Sequence, residues 1–420
     1  MTKGKKGDGK YDLIVGIPSY NEADTIGFVA ETASAGLEEY FPELRTAIVN
    51  VDNNSPDNTK DAFLSARTAV DKKYITTPED VQGKGHNFLN LFRFAHETGA
   101  EAVIVMDADL KSCTKEWIEY LGRPIISGND YVTPLYSRHQ FDGSITNHIC
   151  HPLIFGLLAI DIRQPIGGEF AFSRRLMEHW MKQPITATTR QYGIDIFMTM
   201  HAILGGFKLC QTGLGAKIHK PSAPKLGIMF EQVIGTFLST LLDNRALWIN
   251  GGFKGVVELE RWGLKELSEP QDLKFNMVEM KEKCRSYYDQ YKEFIRELLP
   301  SYAFDMIDEM ISMDYFAIDI MLWSQVVYTL MHRYDISRDR ETRGKILDAL
   351  KPLYFARTIS FNYNTWKYSV RYAEAEVRRQ AMGFASQRYY LLGLYSESGM
   401  PGEFRKAVAR KPSVRPAPSA

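Results

Sequence analysis

Between Tyr11 and Lys220 the chain alternates short β-branched runs with amphipathic stretches, and few folds tolerate that alternation. A strand, a helix and a second strand in sequence pair in parallel through a crossover, so the pattern calls for a mostly parallel sheet covered by helices. Tyr11–Pro18 (YDLIVGIP) reads as a buried first strand and Glu22–Tyr40 as the helix behind it. Leu44–Asp52 is a second strand ending in the polar turn Asn53–Asn58, and a helix starts at Thr59. Lys73–Thr77 is a short third strand, Gly85–Thr98 a helix, and Ala102–Asp107 a strand that runs straight into acidic residues. Tyr131–Tyr136 reads as another strand, with helices at Ile145–Ile160 and Ile194–Leu204.

From about residue 226 the pattern turns helical and rich in Met, Leu, Tyr and Trp, clearest at Gly227–Leu242, Leu273–Leu299 and Tyr302–His332. Pro270 and Pro300 punctuate it. The expected organisation is a flexible N-terminus (1–10), an α/β domain (11–225), a helical region (226–410) and a disordered Pro/Ser/Ala tail (411–420). With 45% hydrophobic and 24% charged residues the chain is neither disordered nor a disulfide scaffold. Its 51 basic residues cancel its 51 acidic ones, which speaks against a dedicated nucleic-acid binder. Cys113, Cys150, Cys210 and Cys284 stand far apart and read as reduced thiols, not a zinc site. Met1–Lys10 lacks an apolar core, so it is not read as a secretory signal. The longest apolar runs, Leu153–Ile160 and Val233–Leu242, fall short of the roughly 20 residues a membrane span needs. The expectation is a cytoplasmic protein without a transmembrane segment.

Asp107 and Asp109 follow the AVIVM strand as Asp-Ala-Asp, where open α/β sheets bind ligands. Two residues apart, both carboxylates can reach one divalent cation, and hard oxygen ligands suit Mg²⁺ or Mn²⁺. Strand-end solvation fits the same pair. Asn21-Glu22 follows the first strand, Asp52-Asn53-Asn54 ends the second, and Gly83-Lys84-Gly85 opens the third helix. Glycines there permit close approach of a phosphate and Lys84 supplies charge, though such a triplet is also an ordinary turn. In this order the motifs describe a nucleotide site spread along strand ends. Neither GxxxxGK[ST] nor a GxGxxG after the first strand is present, so a P-loop and a dinucleotide fingerprint are excluded.

IPSYNEADTIG, VDNNSPDNT, QGKG, MDADL, PIGGEFAFSR, YGID and KIHKPS, in that order, resemble the GT-A glycosyltransferases. Within these the sequence is most similar to the retaining enzymes that make glucosylglycerate, mannosylglycerate and glucosyl-3-phosphoglycerate, over roughly residues 11–240. The resemblance implies a Rossmann-like α/β GT-A domain followed by a mostly helical region. It also implies roles. Pro18, Tyr20 and Glu22, with Asp52, would hold the nucleoside, and Lys84 would contact the diphosphate. Asp109 and His219 would ligate the metal, with Asp107 close to the ribose or sugar. Gly168 and Glu169 would line the donor sugar, and Asp195 would lie beside the sugar and the reacting hydroxyl. Other readings stand beside these: His219 as a satisfied histidine, Glu169 as a turn cap, and Asp195 as an acid favoured by a helix dipole. Lys217 and Lys220 are placed to compensate phosphate charge.

The implied reaction is metal-dependent transfer of a hexose from an ADP-, GDP- or UDP-sugar to a small hydroxy acid, giving a compatible solute. Inverting relatives usually show a Glu-Asp base and a QxxRW-type motif, and neither stands here where expected, which favours retention. SRHQFDGSITNHICHPL resembles the acceptor-binding region of these retaining enzymes, which implies that Arg138 would grip a carboxylate and Thr146 hydrogen-bond it, with Ser144 between them. Where relatives that use 3-phosphoglycerate show a GRVT-like stretch, this chain reads Gly143-Ser144-Ile145-Thr146, without the arginine. The expected acceptor is therefore D-glycerate. A mannosyl donor and 3-phosphoglycerate remain the alternatives, and a nucleotide-sugar-binding regulator the non-enzymatic one. IPSYNEAD stands where a nucleotidyltransferase would carry a glycine-rich signature, which argues against that class. A homodimer is the expected assembly.

Overall fold

The computed structural model of the chain describes residues 10–220, 226–250, 253, 255–266, 268–270, 272–273 and 275–398. The expected N-terminal arm, apart from Lys10, and the expected tail 411–420 lie outside these residues. The chain forms two compact units, but not by a single cut near residue 225. One unit runs through Thr146, then Ile162–Thr240 and Glu258–Phe275; the other takes Asn147–Asp161, Leu241–Val257 and the chain from Asn276 onwards.

The first unit is an α/β domain. Its strands are β1 (Leu13–Ser19), β2 (Thr46–Asp52), β3 (Asp71–Thr76), β4 (Ala102–Val105), β5 (Tyr131–Ser137), β6 (Phe170–Ser173), β7 (Leu209–Ala216) and β8 (Glu260–Gly263). Its helices are α1 (Ile26–Tyr40), α2 (Thr59–Ser65), α3 (Lys84–Glu97), α4 (Lys115–Ile126), α5 (Arg174–Trp180), α6 (Ile194–Leu204) and the start of α7 (Leu226–Asp243). The strands form one sheet in the order β8-β7-β5-β6-β4-β1-β2-β3. Every pairing is parallel except those of β6, which runs antiparallel between β4 and β5.

Side chains alternate along a strand, so a sheet covered on both faces needs continuous apolar runs. In β1, Leu13, Val15 and Ile17 join the layer of Val29 and Leu37 from α1 and Trp117 and Leu121 from α4. Ile14 points the other way, to Phe88, Leu91 and Phe92 of α3, Trp180 of α5 and Phe197 of α6. In that second layer the Phe92 ring lies 5.5 Å from Phe172 and 5.6 Å from Trp180, with centroids at the separations favoured by aromatic pairs. Phe92→Ala is expected to destabilise the protein by about 3–5 kcal/mol. The check is a denaturant titration whose midpoint falls without a change of slope.

The second unit is mainly helical: α8 (Arg245–Asn250), α9 (Met277–Leu298), α10 (Ser301–Ser312), α11 (Ile320–Ile336), α12 (Arg340–Thr365), α13 (Val370–Ser386) and α14 (Arg388–Glu397). The helix expected over Ile145–Ile160 forms with wide turns at Thr146–Cys150 and Ile154–Leu158, on either side of His151–Leu153. Pro152 removes one amide donor from that stretch, and Ala159 ends it in the left-handed region, φ +56°. Its main chain is held from within the unit. Trp323 Nε1 donates to His148 O at 2.8 Å and Gln380 Nε2 to Asn147 O at 2.6 Å. Buried Arg357 orients Gln380 through its Nε, 2.8 Å from Oε1.

Helix α7 corrects one expectation. Val233–Leu242 is part of an 18-residue helix long and apolar enough, by composition, to cross a membrane. More than half of it is buried, through Phe230, Val233, Ile234, Phe237, Leu238 and Leu241, so its apolarity is explained as core. Among the described residues it is the single helix of that kind.

Candidate active site

Parallel pairing puts the carboxyl ends of β1, β2, β4, β5 and β7 along one edge, where ligands bind in open α/β sheets. Antiparallel β6 enters from that same edge, since Phe170 pairs with Val105, so Gly168 and Glu169 arrive beside Asp107. The register of Ser137 with Ala216 brings Lys217 alongside Arg138. A bulge between Leu135 and Tyr136 re-aims the strand there.

Three carboxylates face two ammonium groups at this edge. Lys84 Nζ lies 3.1 Å from Asp107 Oδ1 and 3.2 Å from Asp195 Oδ2. Lys217 Nζ lies 3.1 Å from Asp107 Oδ2 and 2.8 Å from Glu169 Oε2, and donates to Gly167 O at 3.0 Å. Tyr136 donates its hydroxyl to Glu169. Burial raises Asp107, but Lys84 and Lys217 outweigh it and hold this carboxyl well below the usual range. Asp195 and Glu169 go the other way. Burial dominates in both and raises them, with the Asp107 charge adding to the effect against the lysines. Asp195 Oδ1 is buried and has no hydrogen-bond partner, while Oδ2 carries Lys84. An orphaned carboxylate oxygen in such a place is costly unless a ligand hydroxyl fills it.

Lys217 connects the cluster, with only 5% of its side chain exposed. Lys217→Met leaves Glu169 and Asp107 side by side without that cation, and is expected to cost about 3–5 kcal/mol. Adding Glu169→Gln should recover part of the loss. A double-mutant cycle read by denaturant melts checks this coupling.

The Gly-Lys-Gly triplet has a different reason from the expected one. A Cβ on Gly83, at φ +143°, would sit 2.4 Å from Arg190 O, and one on Gly85 would sit 2.0 Å from Thr189 O. Gly85 N donates to Gln191 O and His86 N to Arg190 O, both at 3.1 Å. The glycines therefore let the start of α3 pack against the 189–191 backbone, whose carbonyls already satisfy those amides. Lys84 is likewise not a free lysine, because two carboxylates take two of its three donors. Gly168, at φ +96°, is glycine for the ion pair: a Cβ would meet Asp107 Oδ2 at 2.2 Å.

On the β1–β2 side, buried Asp52 accepts from Ser19 Oγ (2.6 Å), Ser55 Oγ (2.7 Å), Ser55 N (2.7 Å) and the Tyr74 hydroxyl (3.0 Å). Its acceptor capacity is filled, so it organises the turn after β2; the expected nucleoside contact would have to displace one of these. Pro18 is buried in β1, and half-exposed Tyr20 accepts from Gln82 Nε2 at 3.0 Å. Asn53 Oδ1 takes the Gly83 amide at 3.2 Å, tying the β2 turn to the start of α3.

Lys111 N donates to Ile218 O, and Ile218 N to Ser112 Oγ, both at 2.9 Å. This staple holds the Asp109 loop against the His219 segment. Burial first, then Lys217, lowers His219 and keeps its imidazole neutral, the form that ligates metals. One carboxylate and one neutral imidazole, completed by oxygens of a bound diphosphate, form a donor set that fits Mg²⁺ or Mn²⁺. Among the described residues no group of three or more His, Cys, Asp or Glu is placed to hold a metal unaided. Lys220 is not available to a phosphate, since it pairs with Glu22 at 2.6 Å and Asp24 at 2.9 Å.

Arg138 is tied within its own loop. Its Nη1 lies 2.9 Å from Asp142 Oδ2, and its Nε donates to Gln164 Oε1 at 3.2 Å. Ser144 is half-buried on the same loop and Thr146 is buried at its end. Sequence reasoning missed Tyr136, Asp142, Gln164 and the 189–191 backbone. Only Asp142 carried a local signal, four residues after an arginine.

Residues 14–184 match the family model described as glycosyl transferase family 2. No curated protein matches the chain. Among solved structures the chain is similar to the glucosyl-3-phosphoglycerate synthase of Mycobacterium tuberculosis in complex with Mg²⁺ and uridine diphosphate. That likeness is 26% identity over 55% of this chain and 79% of the other, with a TM-score of 0.45. A complex of the same enzyme with Mn²⁺, UDP-glucose and phosphoglyceric acid shows 25% identity over 55% and 79%, again at 0.45. The family match covers less than half of the chain and falls mainly in the first unit, whose mostly parallel sheet is of the Rossmann-like α/β kind.

Proposed function

We propose that the protein is a retaining, metal-dependent hexosyltransferase that moves glucose from a nucleotide sugar to D-glycerate, in the cytoplasm, to make the compatible solute glucosylglycerate. The observation that carries this reading is the orphaned Asp195 Oδ1, buried beside the Lys84–Asp107 pair at the carboxyl edge of the sheet. In this reading that oxygen accepts a hydroxyl hydrogen from sugar or acceptor. Lys84, pinned by two carboxylates, keeps its position without reorganisation and presents its remaining donor and its charge to the departing diphosphate. Asp107 stays ionised under two lysines and steadies both, while Glu169 and Gly168 shape the wall beside it. Asp109 and His219 would hold Mg²⁺ or Mn²⁺, which when bound supplies Lewis-acid neutralisation of diphosphate charge. Arg138, with Ser144 and Thr146, would receive the acceptor's carboxylate.

The test is a matrix of ADP-, GDP- and UDP-linked glucose and mannose against D-glycerate and 3-phosphoglycerate, with Mg²⁺ or Mn²⁺, read by nucleotide release. Glucosyl transfer to D-glycerate is the expected best pair, with proton NMR showing an α-linked product from the α-linked donor. A β-linked product overturns retention, and a mannosyl donor or 3-phosphoglycerate as the preferred substrate overturns the corresponding assignment. Nucleotide release in no combination would leave a binding protein.

A further inference from the structure

The Arg138 loop carries a feature that the proposed reaction does not require. Asp142 places Oδ2 2.9 Å from Arg138 Nη1 and takes the Gly143 amide on Oδ1 at 2.8 Å. Gln164 Oε1 takes Arg138 Nε, and that glutamine is itself fixed, donating to Tyr136 O at 2.8 Å and accepting from Tyr136 N at 3.2 Å. The guanidinium lies 5.5 Å from the Tyr136 ring centroid and only 15% of its side chain is exposed. Arg138 is therefore pre-oriented, its Nη1 on the Asp142 carboxylate and its Nε on Gln164. A fork in that state can still bond a single carboxylate. A second negative group nearby would meet the Asp142 carboxylate, in a partly buried place where like charges are poorly screened.

We infer that Asp142 is a specificity-determining positioning residue: by holding Arg138 it admits small monoanionic hydroxy acids and rejects phosphorylated ones. The inference rests on the acceptor reading above, and adds to it a residue that excludes. It acts through Arg138 and by repulsion, so it belongs in the ratio between two acceptors more than in the turnover of either.

Asp142→Asn keeps the size of the side chain and the Oδ1 acceptor for the Gly143 amide, so the loop retains its turn. The experiment compares kcat/KM for 3-phosphoglycerate and D-glycerate in the wild type, in Asp142→Asn and in Asp142→Asn with Arg138→Gln. In Asp142→Asn the ratio is expected to move toward 3-phosphoglycerate by about tenfold or more, through a lower KM for the phosphorylated acid at little-changed kcat. Adding Arg138→Gln should abolish that gain, because the freed guanidinium supplies it. An unmoved ratio in an Asp142→Asn enzyme that still uses D-glycerate overturns the inference, as does a gain that survives Arg138→Gln. Wild-type transfer to neither acid overturns the acceptor reading instead, and the two failures are told apart by the wild-type rows alone.

Discussion

Asp195→Asn is expected to lower kcat by about a hundredfold or more while leaving the protein at least as stable as the wild type at neutral pH. Activity falls because the orphaned Oδ1 is the acceptor that sugar or acceptor hydroxyl would need, and because the amide weakens the hold on Lys84. Stability follows from the raised pKa. Burial makes the folded protein hold the Asp195 proton more tightly than the unfolded chain does, despite Lys84. Stability is then lost as pH rises from the ordinary carboxylate value through the raised folded one, and the neutral asparagine removes that slope. Lys84 keeps Asp107 as a partner, so no cation is stranded. A structural helix-start acid predicts the opposite pair, near-normal turnover and a lower melting temperature. Steady-state kinetics together with thermal melts at pH 5 and pH 8 separates the two.

How much of this was readable beforehand depends on the distance over which each feature is decided. The β1–α1–β2 start, the strand leading to Asp107 and the helix Ile194–Leu204 follow from local patterns, and the structure forms them, though that strand stops at Val105, two residues short of the expected Asp107. The four-residue β6 has no period to read, and its antiparallel sense depends on how the chain returns to the sheet edge. Asp107, Asp195 and Lys84 were visible as motif residues. Their mutual pairing was not, because Lys84 and Asp195 stand 111 positions apart. The sequence places Lys217 toward a phosphate, yet β7 register turns it into the cluster's buried cation. Gly83 and Gly85 show the same limit. Their motif suggested a phosphate, whereas the group that needs the missing Cβ is the backbone at 189–191. Asp52 was legible as a strand-end acid, but the four donors that fill it come from three separate segments.

Asp109→Ala and His219→Ala are each expected to lower transfer by about 10²–10³-fold, and chelation should do the same to the wild type. A bound divalent cation contributes several kcal/mol of charge stabilisation, and each 1.36 kcal/mol is tenfold in rate. The two side chains come from loops 110 residues apart, joined by the Lys111–Ile218 and Ile218–Ser112 hydrogen bonds. Removing either side chain leaves that staple intact, so the loops should stay in place and only the ligand be lost. The loss should therefore appear without unfolding, as weaker Mn²⁺-dependent binding of the nucleoside diphosphate by calorimetry as well as slower turnover. His219→Asn is the more telling variant, since it keeps a neutral polar group of similar reach but is a poorer ligand. It should recover part of the diphosphate binding at raised Mn²⁺, whereas a histidine that merely packs would give no metal dependence. Full turnover in excess chelator would falsify the assignment of both residues.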